Sequence, residues 1–181
     1  SQNADILKAC RSMSKLSLLS LKRNYVYDDG VFVAEQDIHR KKVRERLQTL
    51  RQRIEKNIRE MYEIFSADPT DIQQRWKQYV LSVETKIENA LRECLKLSLK
   101  EFNKCINGDG KNDPQPLFKT NAILKDNVIV FEPSMVSLTA RVNSVCKALV
   151  SVVSCVDRLN VFGDQRDEAV EERASFYDVL S

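Results

Sequence analysis

Gly108-Asp109-Gly110-Lys111 is the stretch whose residue types and spacing come nearest to phosphate chemistry. A phosphate-binding loop has the pattern Gly-x4-Gly-Lys-Ser/Thr between a strand and a helix, so that backbone amides and a helix N-terminus meet the phosphate. Here the glycines follow a helical pattern, Asn112 replaces the hydroxyl residue, and an extended pattern comes next. These residues are therefore predicted to end a helix and form a turn, without binding a nucleotide.

Other groups that could do chemistry are isolated. His39 is the single histidine and has no recognisable nucleophile or second metal ligand near it in the sequence. Glu84, Glu88 and Glu93 are spread along one helical pattern among lysines and arginines, which is typical of a solvated surface and not of paired catalytic acids. We therefore expect no catalytic residue, no metal site and no bound cofactor in these residues.

The cysteines are five in number and include no Cys-x-x-Cys pair. Several fall at the apolar positions of helical patterns, which favours reduced core thiols in a cytosolic protein over surface thiols with chemistry of their own. They are Cys10, Cys94, Cys105, Cys146 and Cys155.

Composition points to a helical protein. The 181 residues are 43% hydrophobic and 30% charged, and four glycines and four prolines favour long helices over a fold with many turns. The net charge of +3 is mild, and acids and bases are interspersed, so nucleic-acid binding is not expected. The first residues lack the apolar core of a signal peptide, and no uninterrupted apolar run comes near the roughly 18 residues that span a bilayer. We expect an intracellular, soluble chain without membrane contact.

The first two sections of the chain are predicted to be helical. Residues 1–35 hold a helix from Asn3 to about Leu21, then extended pieces at 25–27 and 31–33 around a turn. Residues 36–107 form a long helical hairpin, with one helix over about 37–66 and another from about 70 to 107 whose apolar stripes recur every three to four residues. Pro69 separates the two helices, which are expected to lie antiparallel with their stripes facing one another.

The last two sections combine a hairpin and a helix. Residues 108–133 form a glycine- and proline-rich loop and a two-stranded hairpin of about 117–124 and 128–132, with its turn at 125–127. An isolated hairpin is marginal in water, so this one is expected to pack on the helices, with Phe118 and Phe131 as anchors. Residues 134–181 form a helix, capped by Ser134, that is expected to be the best buried, followed by an acidic end. The predicted fold class is mainly α, a bundle of long antiparallel helices with one small inserted β-hairpin.

The second helix carries a basic face. The residues assigned to a possible partner surface are Arg40, Arg44, Arg51, Arg53 and Trp76. Three interpretations apply to the arginines: a solvated face with ion pairs inside the helix, contact with an acidic protein, or contact with lipid or nucleic acid. Trp76 fits either core packing or a partner hot spot. Reversing the charges of Arg51 and Arg53 is expected to leave folding nearly unchanged and to weaken partner contacts.

A set of short motifs gives the chain a family resemblance. Its residues are Ile106, Asn107, Gly108, Asp109, Gly110, Pro116, Leu117, Phe118, Phe131, Pro133 and Ser134. At these separations they resemble the N-terminal tail of dynein heavy chains and look closest to the axonemal ones of cilia and flagella. The resemblance is strongest over about 89–137 and extends more loosely back to Ser12, through Leu16-Ser17-Leu18-Leu19 and Arg23-Asn24-Tyr25.

The resemblance implies a structural role. In this family the tail is a rod of helical bundles that precedes the linker and the AAA+ motor ring, where ATP and Mg²⁺ bind. The tail binds other heavy chains, intermediate and light chains and axonemal docking factors, and it reaches the microtubule indirectly. The implied location is the cytoplasmic cytoskeleton, in the axoneme of a cilium or flagellum. The alternative is an independent helical scaffold or adaptor of the cytoskeleton, which shares the helices but does not need the hairpin motif.

Overall fold

The fold is mainly helical and contains one small antiparallel sheet, which confirms the predicted class. The computed structural model describes residues 1–65, 71–108, 110–111 and 114–159. Its elements in chain order are α1 (Gln2–Ser14), α2 (Asp29–Phe65), α3 (Asp71–Asn107), β1 (Asn121–Lys125), β2 (Val128–Glu132) and α4 (Met135–Ser154). The predicted helix break at Pro69 and the acidic end from 160 onwards lie outside the described residues.

Two long helices, α2 and α3, form the frame of the fold. Each has 37 residues and is therefore about 55 Å long. They run antiparallel, because Tyr62 near the end of α2 stacks on Trp76 near the start of α3, with ring centroids 5.5 Å apart. Direct contact between their stripes is limited, since α1 and α4 each pack against both of them. The stripe residues buried on α2 are Val43, Leu47, Leu50, Ile54 and Ile58, and those on α3 include Val83, Ile87, Leu91 and Leu95.

The N-terminal region differs from its prediction. Helix α1 ends at Ser14 and not near Leu21, and α2 already begins at Asp29, so residues 31–33 are helical and not extended. Between these helices runs a non-helical linker, residues 15–28, which buries Leu18 and Leu19 in the core. If residues 15–28 were helical, Leu18 and Leu19 could not take these core positions and their backbone could not make the hydrogen bonds that it makes. Tertiary packing therefore overrides local helix propensity here.

Three local signals are confirmed. Gly108 ends α3 with φ 74°, and its N–H donates to the carbonyl oxygen of Lys104 at 2.9 Å. Asp126 and Asn127 form the hairpin turn with φ of 47° and 60°. The hydroxyl of Ser134 accepts a hydrogen bond from the backbone N–H three residues later at 3.2 Å, as a helix N-cap does.

The hairpin and the start of α4 are far more exposed than predicted. Phe131 is 53% exposed, and Val136 is 81% exposed. The expectations that Phe131 anchors the hairpin on the helices and that α4 is the best-buried helix are therefore wrong. Only the second half of α4 enters the core, and residues 117–119, which were predicted as part of the first strand, pair with the linker instead.

One described helix passes a simple membrane test. Met135–Ser154 is long and apolar enough, by length and composition alone, to cross a bilayer, with a mean hydropathy of 1.3 in an 18-residue window of which 28% is buried. Core helices pass the same test, and Leu149, Val152 and Val153 pack α4 into the core. This feature is accordingly weak evidence for a membrane span.

Candidate interaction surface

The motif residues after α3 meet the linker at one end of the frame. The backbone N–H of Tyr27 donates to the carbonyl oxygen of Leu117 at 2.8 Å, and the N–H of Lys119 donates to the carbonyl oxygen of Tyr27 at 2.9 Å. These bonds form a short parallel bridge between Tyr27 and Phe118. Residues about ninety positions apart are thereby held in one backbone contact.

An aromatic cluster, made of Tyr25, Tyr27, Phe32 and Phe118, fills the space behind this bridge. The ring centroids of Tyr27 and Phe32 lie 5.2 Å apart, and those of Phe32 and Phe118 lie 5.1 Å apart, both in edge-to-face geometry. Tyr27 and Phe32 are fully buried. Each such pair contributes about 0.5–1.5 kcal/mol beyond the area that it buries. Phe118 thus packs in this cluster, although it precedes the hairpin that it was predicted to anchor, whereas Phe131 is 53% exposed.

The loop after α3 is tied to the linker by side chains as well. The amide oxygen of Gln115 accepts from the backbone N–H of Asn24 at 3.3 Å, and its amide nitrogen donates to the side chain of Asn24 at 2.8 Å. Gly110 has a positive φ of 77° in this loop. Of the other motif residues, Leu117 and Ile106 pack on the core, Pro116 is exposed, and Asp109 lies outside the described residues. Gln115, Leu117 and Phe118 therefore hold the loop after α3 to the linker and the core.

Polar residues missed by the sequence reasoning hold the linker to both long helices. On α2, the side chain of Gln36 donates to the carbonyl oxygen of Ser20 at 2.8 Å and accepts from the N–H of the same residue at 3.0 Å. On α3, the hydroxyl of Ser98 accepts from the N–H of Leu18 at 2.9 Å. Gln36 and Ser98 are fully buried; the bond to Ser98 is shielded from water, and the bonds between Gln36 and Ser20 are partly shielded. The sequence contains a signal for Ser98, which is a polar residue on an apolar helical stripe, but it contains none for Gln36.

The five residues assigned to a partner surface do not share one environment. Arg51 lies inside the fold with its side chain 11% exposed, pairs with Glu55 at 3.0 Å and donates to the carbonyl oxygen of Arg158 at 3.2 Å. Trp76 is 6% exposed and belongs to the core. Arg53 is 50% exposed and pairs with Asp5 at 3.1 Å. The charge-reversal expectation therefore does not hold for Arg51, because its reversal would place two acids together in a nearly dry site.

Exposed basic residues continue along α2 as far as Arg59, and those without an ion pair in the described part of the chain lie between residues 41 and 46. Between residues 40 and 59 the sequence has nine basic and two acidic residues. Arg40 pairs with Asp37, and Arg44 lies on the side of α2 next to α4, with its guanidinium 3.5 Å from the hydroxyl of Ser151. We call the exposed cations of this region the basic flank, and they are Lys41, Lys42, Arg44 and Arg46.

The start of α4 is fixed to the start of α2 by an ion pair. Arg141 makes two bonds to the carboxylate of Asp29, at 2.7 and 3.0 Å, and this hydrogen bonding raises the pKa of Arg141. A cleft of about 30 Å³ next to this pair is lined by Phe32, Val33, Gln36, Arg40, Arg141, Ser144 and Val145. It has room for about one water and is far smaller than a small-molecule site.

The cysteines are free, and four of them have raised pKa values. Burial raises the pKa of Cys94 to about 12 and also raises the pKa of Cys10, Cys105 and Cys146. Such thiols stay protonated at neutral pH and are poor nucleophiles. Within the described ranges, no group of three or more His, Cys, Asp or Glu side chains could hold a metal ion.

Comparison with known proteins gives relatives of one kind. No protein-family model matches the chain. It is 29% identical over 158 residues, 87% of its length, to the Dynein-1-beta heavy chain of the flagellar inner arm I1 complex of Chlamydomonas reinhardtii. It is 35% identical over 150 residues, 80% of its length, to Dynein axonemal heavy chain 2 of Homo sapiens and equally to that of Mus musculus. The chain spans only 3 to 4% of the length of these relatives.

Proposed function

This chain is homologous to a short stretch of axonemal dynein heavy chains, and on that premise we propose that it is a structural segment of a heavy-chain tail. In this role it serves assembly, subunit binding and force transmission, while ATP hydrolysis takes place in parts of the motor outside these residues. The observation that carries the proposal is the similarity over 80 to 87% of the chain. Similarity over so much of its length favours a heavy-chain segment over a free-standing adaptor.

The linker supports the force-transmitting role. Gln36 on α2 and Ser98 on α3 bond to positions 20 and 18 of the same linker, so a load on one helix passes to the other through two attachments, one partly buried and one buried. The bridge between Tyr27 and Phe118 adds a third attachment, to the loop after α3. Buried hydrogen bonds resist displacement because breaking them leaves unpaired polar groups away from water.

The partners proposed for the segment are other dynein heavy chains, intermediate and light chains and axonemal docking factors. Contact with the microtubule is indirect, and the location is the cytoskeleton of a cilium or flagellum. The basic flank is the proposed contact with an acidic protein surface, since Lys42 and Arg46 are exposed and make no ion pair in the described part of the chain. Four residues apart on α2, they share one helix face.

The linker role is tested by Gln36→Leu, with Gln52→Leu as the matched control. Gln52 is exposed on the same helix. Gln36→Leu removes the partner of the Ser20 N–H and one of the two hydrogen bonds to the Ser20 carbonyl oxygen, the other being donated by the Tyr27 hydroxyl at 3.5 Å. It should lower the free energy of unfolding by about 1–3 kcal/mol. In the full heavy chain it should also reduce the amount of dynein in isolated axonemes, measured by quantitative mass spectrometry. Normal incorporation of a destabilised Gln36→Leu chain would refute the role of this attachment.

The partner contact is tested separately. Lys42→Glu with Arg46→Glu should leave the unfolding free energy within about 0.5 kcal/mol of the parent and reduce axonemal incorporation. The control is Lys96→Glu with Lys100→Glu, which makes the same charge change at exposed positions of α3. Equal incorporation of both double variants would show that the basic flank is not a partner contact.

A further inference from the structure

The solvent face of α2 carries exposed apolar residues near its start. Val31 is 44% exposed and Ile38 is 59% exposed, and both are large hydrophobic residues. They lie seven residues apart, or about two helical turns, and therefore share one side of the helix. Ala34 is also exposed and lies between them, so its small side chain leaves a depression between two larger ones. A large side chain of a second helix can fill such a depression.

The linker adds one aromatic residue to this surface. Tyr25 is 41% exposed, and the ammonium group of Lys22 lies 4.8 Å from the centre of its ring. The same ammonium group pairs with Glu35 at 2.7 Å. Because Glu35 lies four residues after Val31 and three before Ile38, these contacts bring Tyr25 to the side of α2 that carries both. We call the exposed group the apolar strip, and its members are Tyr25, Val31, Ala34 and Ile38.

The basic flank begins one turn after the apolar strip. Lys41 and Lys42 lie three and four residues after Ile38, and Arg46 lies one turn further on. These three cations are exposed and make no ion pair in the described part of the chain. Between Ile38 and Arg46 the sequence has one acid, Glu45. The charge left on this part of α2 is therefore positive, and it is complementary to an acidic partner.

A helix matches this surface better than an extended peptide does. The exposed apolar and basic positions of α2 recur every three to four residues over 31–46, a length of about 23 Å at 1.5 Å per residue. A helix that packs along α2 presents its side chains with the same period, so its ridges fit the grooves of α2. An extended peptide turns every second side chain away from the surface. The matching segment is therefore a helix of about four turns.

We propose that the apolar strip and the basic flank together bind an acidic amphipathic helix of a partner chain. Apolar residues of that helix pack between Val31 and Ile38, and its carboxylates lie against Lys41, Lys42 and Arg46. The charges bring the helix to α2 and fix its register, whereas the apolar strip holds it there. This inference rests on the proposed function, in which the basic flank contacts an acidic protein, and it adds the anchor residues and the secondary structure of the partner.

The first test is zero-length cross-linking of the assembled dynein complex, which contains the full heavy chain. A carbodiimide joins a lysine amine to a carboxylate only where the two are in direct contact, and mass spectrometry identifies the linked peptides. Lys41 and Lys42 should be joined to acids of a different chain that lie three or four residues apart, within about two turns of large apolar residues. Linked acids without this spacing would overturn the helix. A linked peptide from a second copy of this chain, or no link from either lysine to another chain, would also overturn the proposal.

The second test separates the anchor from the charges. Ile38→Ser should lower the yield of the cross-link from Lys42 about fivefold or more, because it removes an apolar anchor of the contact. Ile64→Ser is the matched control, since it makes the same change at an isoleucine that is 65% exposed near the other end of α2. The control should leave the yield unchanged, and both variants should keep the urea midpoint of the parent because both side chains are exposed.

The outcomes distinguish this inference from the proposed function. Equal cross-link yields from Lys42 in the parent and in Ile38→Ser would overturn the helix anchor. The proposed contact with an acidic protein would still stand in that case if Lys42→Glu with Arg46→Glu reduces axonemal incorporation. Normal incorporation of that double variant would refute the proposed contact and this inference together.

Discussion

Phe32 is predicted to be the residue of the aromatic cluster whose loss costs most. It is fully buried and makes edge-to-face contacts with Tyr27 at 5.2 Å and Phe118 at 5.1 Å. Replacing a buried phenylalanine by alanine removes about 3–5 kcal/mol of stability, through lost burial and the cavity that remains. The two ring contacts favour the upper part of this range. Phe32→Ala should therefore raise the equilibrium constant for unfolding about a thousandfold, at about 1.4 kcal/mol per tenfold change.

The assay is urea unfolding of the 181-residue chain, followed by circular dichroism and by Trp76 fluorescence. Val31→Ala is the matched control, since Val31 is exposed in the same turn of α2 and its truncation should change stability by no more than about 0.5 kcal/mol. The midpoint of Phe32→Ala should fall while the slope with urea stays unchanged. Equal midpoints for the two variants would refute the reasoning that this cluster ties the linker and the loop after α3 to the frame.

Two further predictions concern buried charge and buried thiols. Arg51→Glu should destabilise the chain by up to about 3–5 kcal/mol, because it places a second acid beside Glu55, which keeps its pair with Arg59 at 2.6 Å, in a nearly dry site. Arg53→Glu should cost about 1 kcal/mol or less, and urea unfolding compares the two variants. Cys155 should react first with a thiol reagent at pH 8, while Cys94 should react only on unfolding. Because the pKa of Cys94 is raised from 9 to about 12 in the folded chain, the unfolded thiol ionises at a lower pH than the folded one. The contribution of this thiol to the free energy of unfolding is therefore fully present below pH 9 and is lost as pH rises towards 12. Free energies of unfolding measured across this range check the sign.

Local chemistry was predicted well where a few neighbouring residues decide it. Gly108 supplies the left-handed residue that ends α3, Ser134 supplies an N-cap, and Asp126 and Asn127 tolerate the positive φ of a tight turn. The strands also face each other across that turn as expected, although β1 begins at Asn121 and not at Leu117. In each case the deciding interaction lies within about four residues.

The candidate surface was predicted less well. The sequence identified a basic face but could not distinguish Arg51, which is nearly buried, from Arg53, which is half exposed two residues later. Helical periodicity places a residue on a side of its helix, but burial depends on which other element covers that side. Residue 158 covers Arg51, and α1 supplies Asp5 to Arg53.

The sequence by itself determined the helical class, the two long amphipathic stripes, the caps and the hairpin turn, because periodicity and backbone preferences act over short distances. Its motifs also indicated the dynein relatives. Only the tertiary structure decided that residues 15–28 form a linker and that residues 31–33 are helical. The deciding contacts, between Leu18 and Ser98 and between Tyr27 and Phe118, join residues 80 or more positions apart. Such pairs form only when the long helices already lie side by side, so no local sequence pattern predicts them. The same holds for the exposed hairpin, whose strands were predictable while their lack of cover was not.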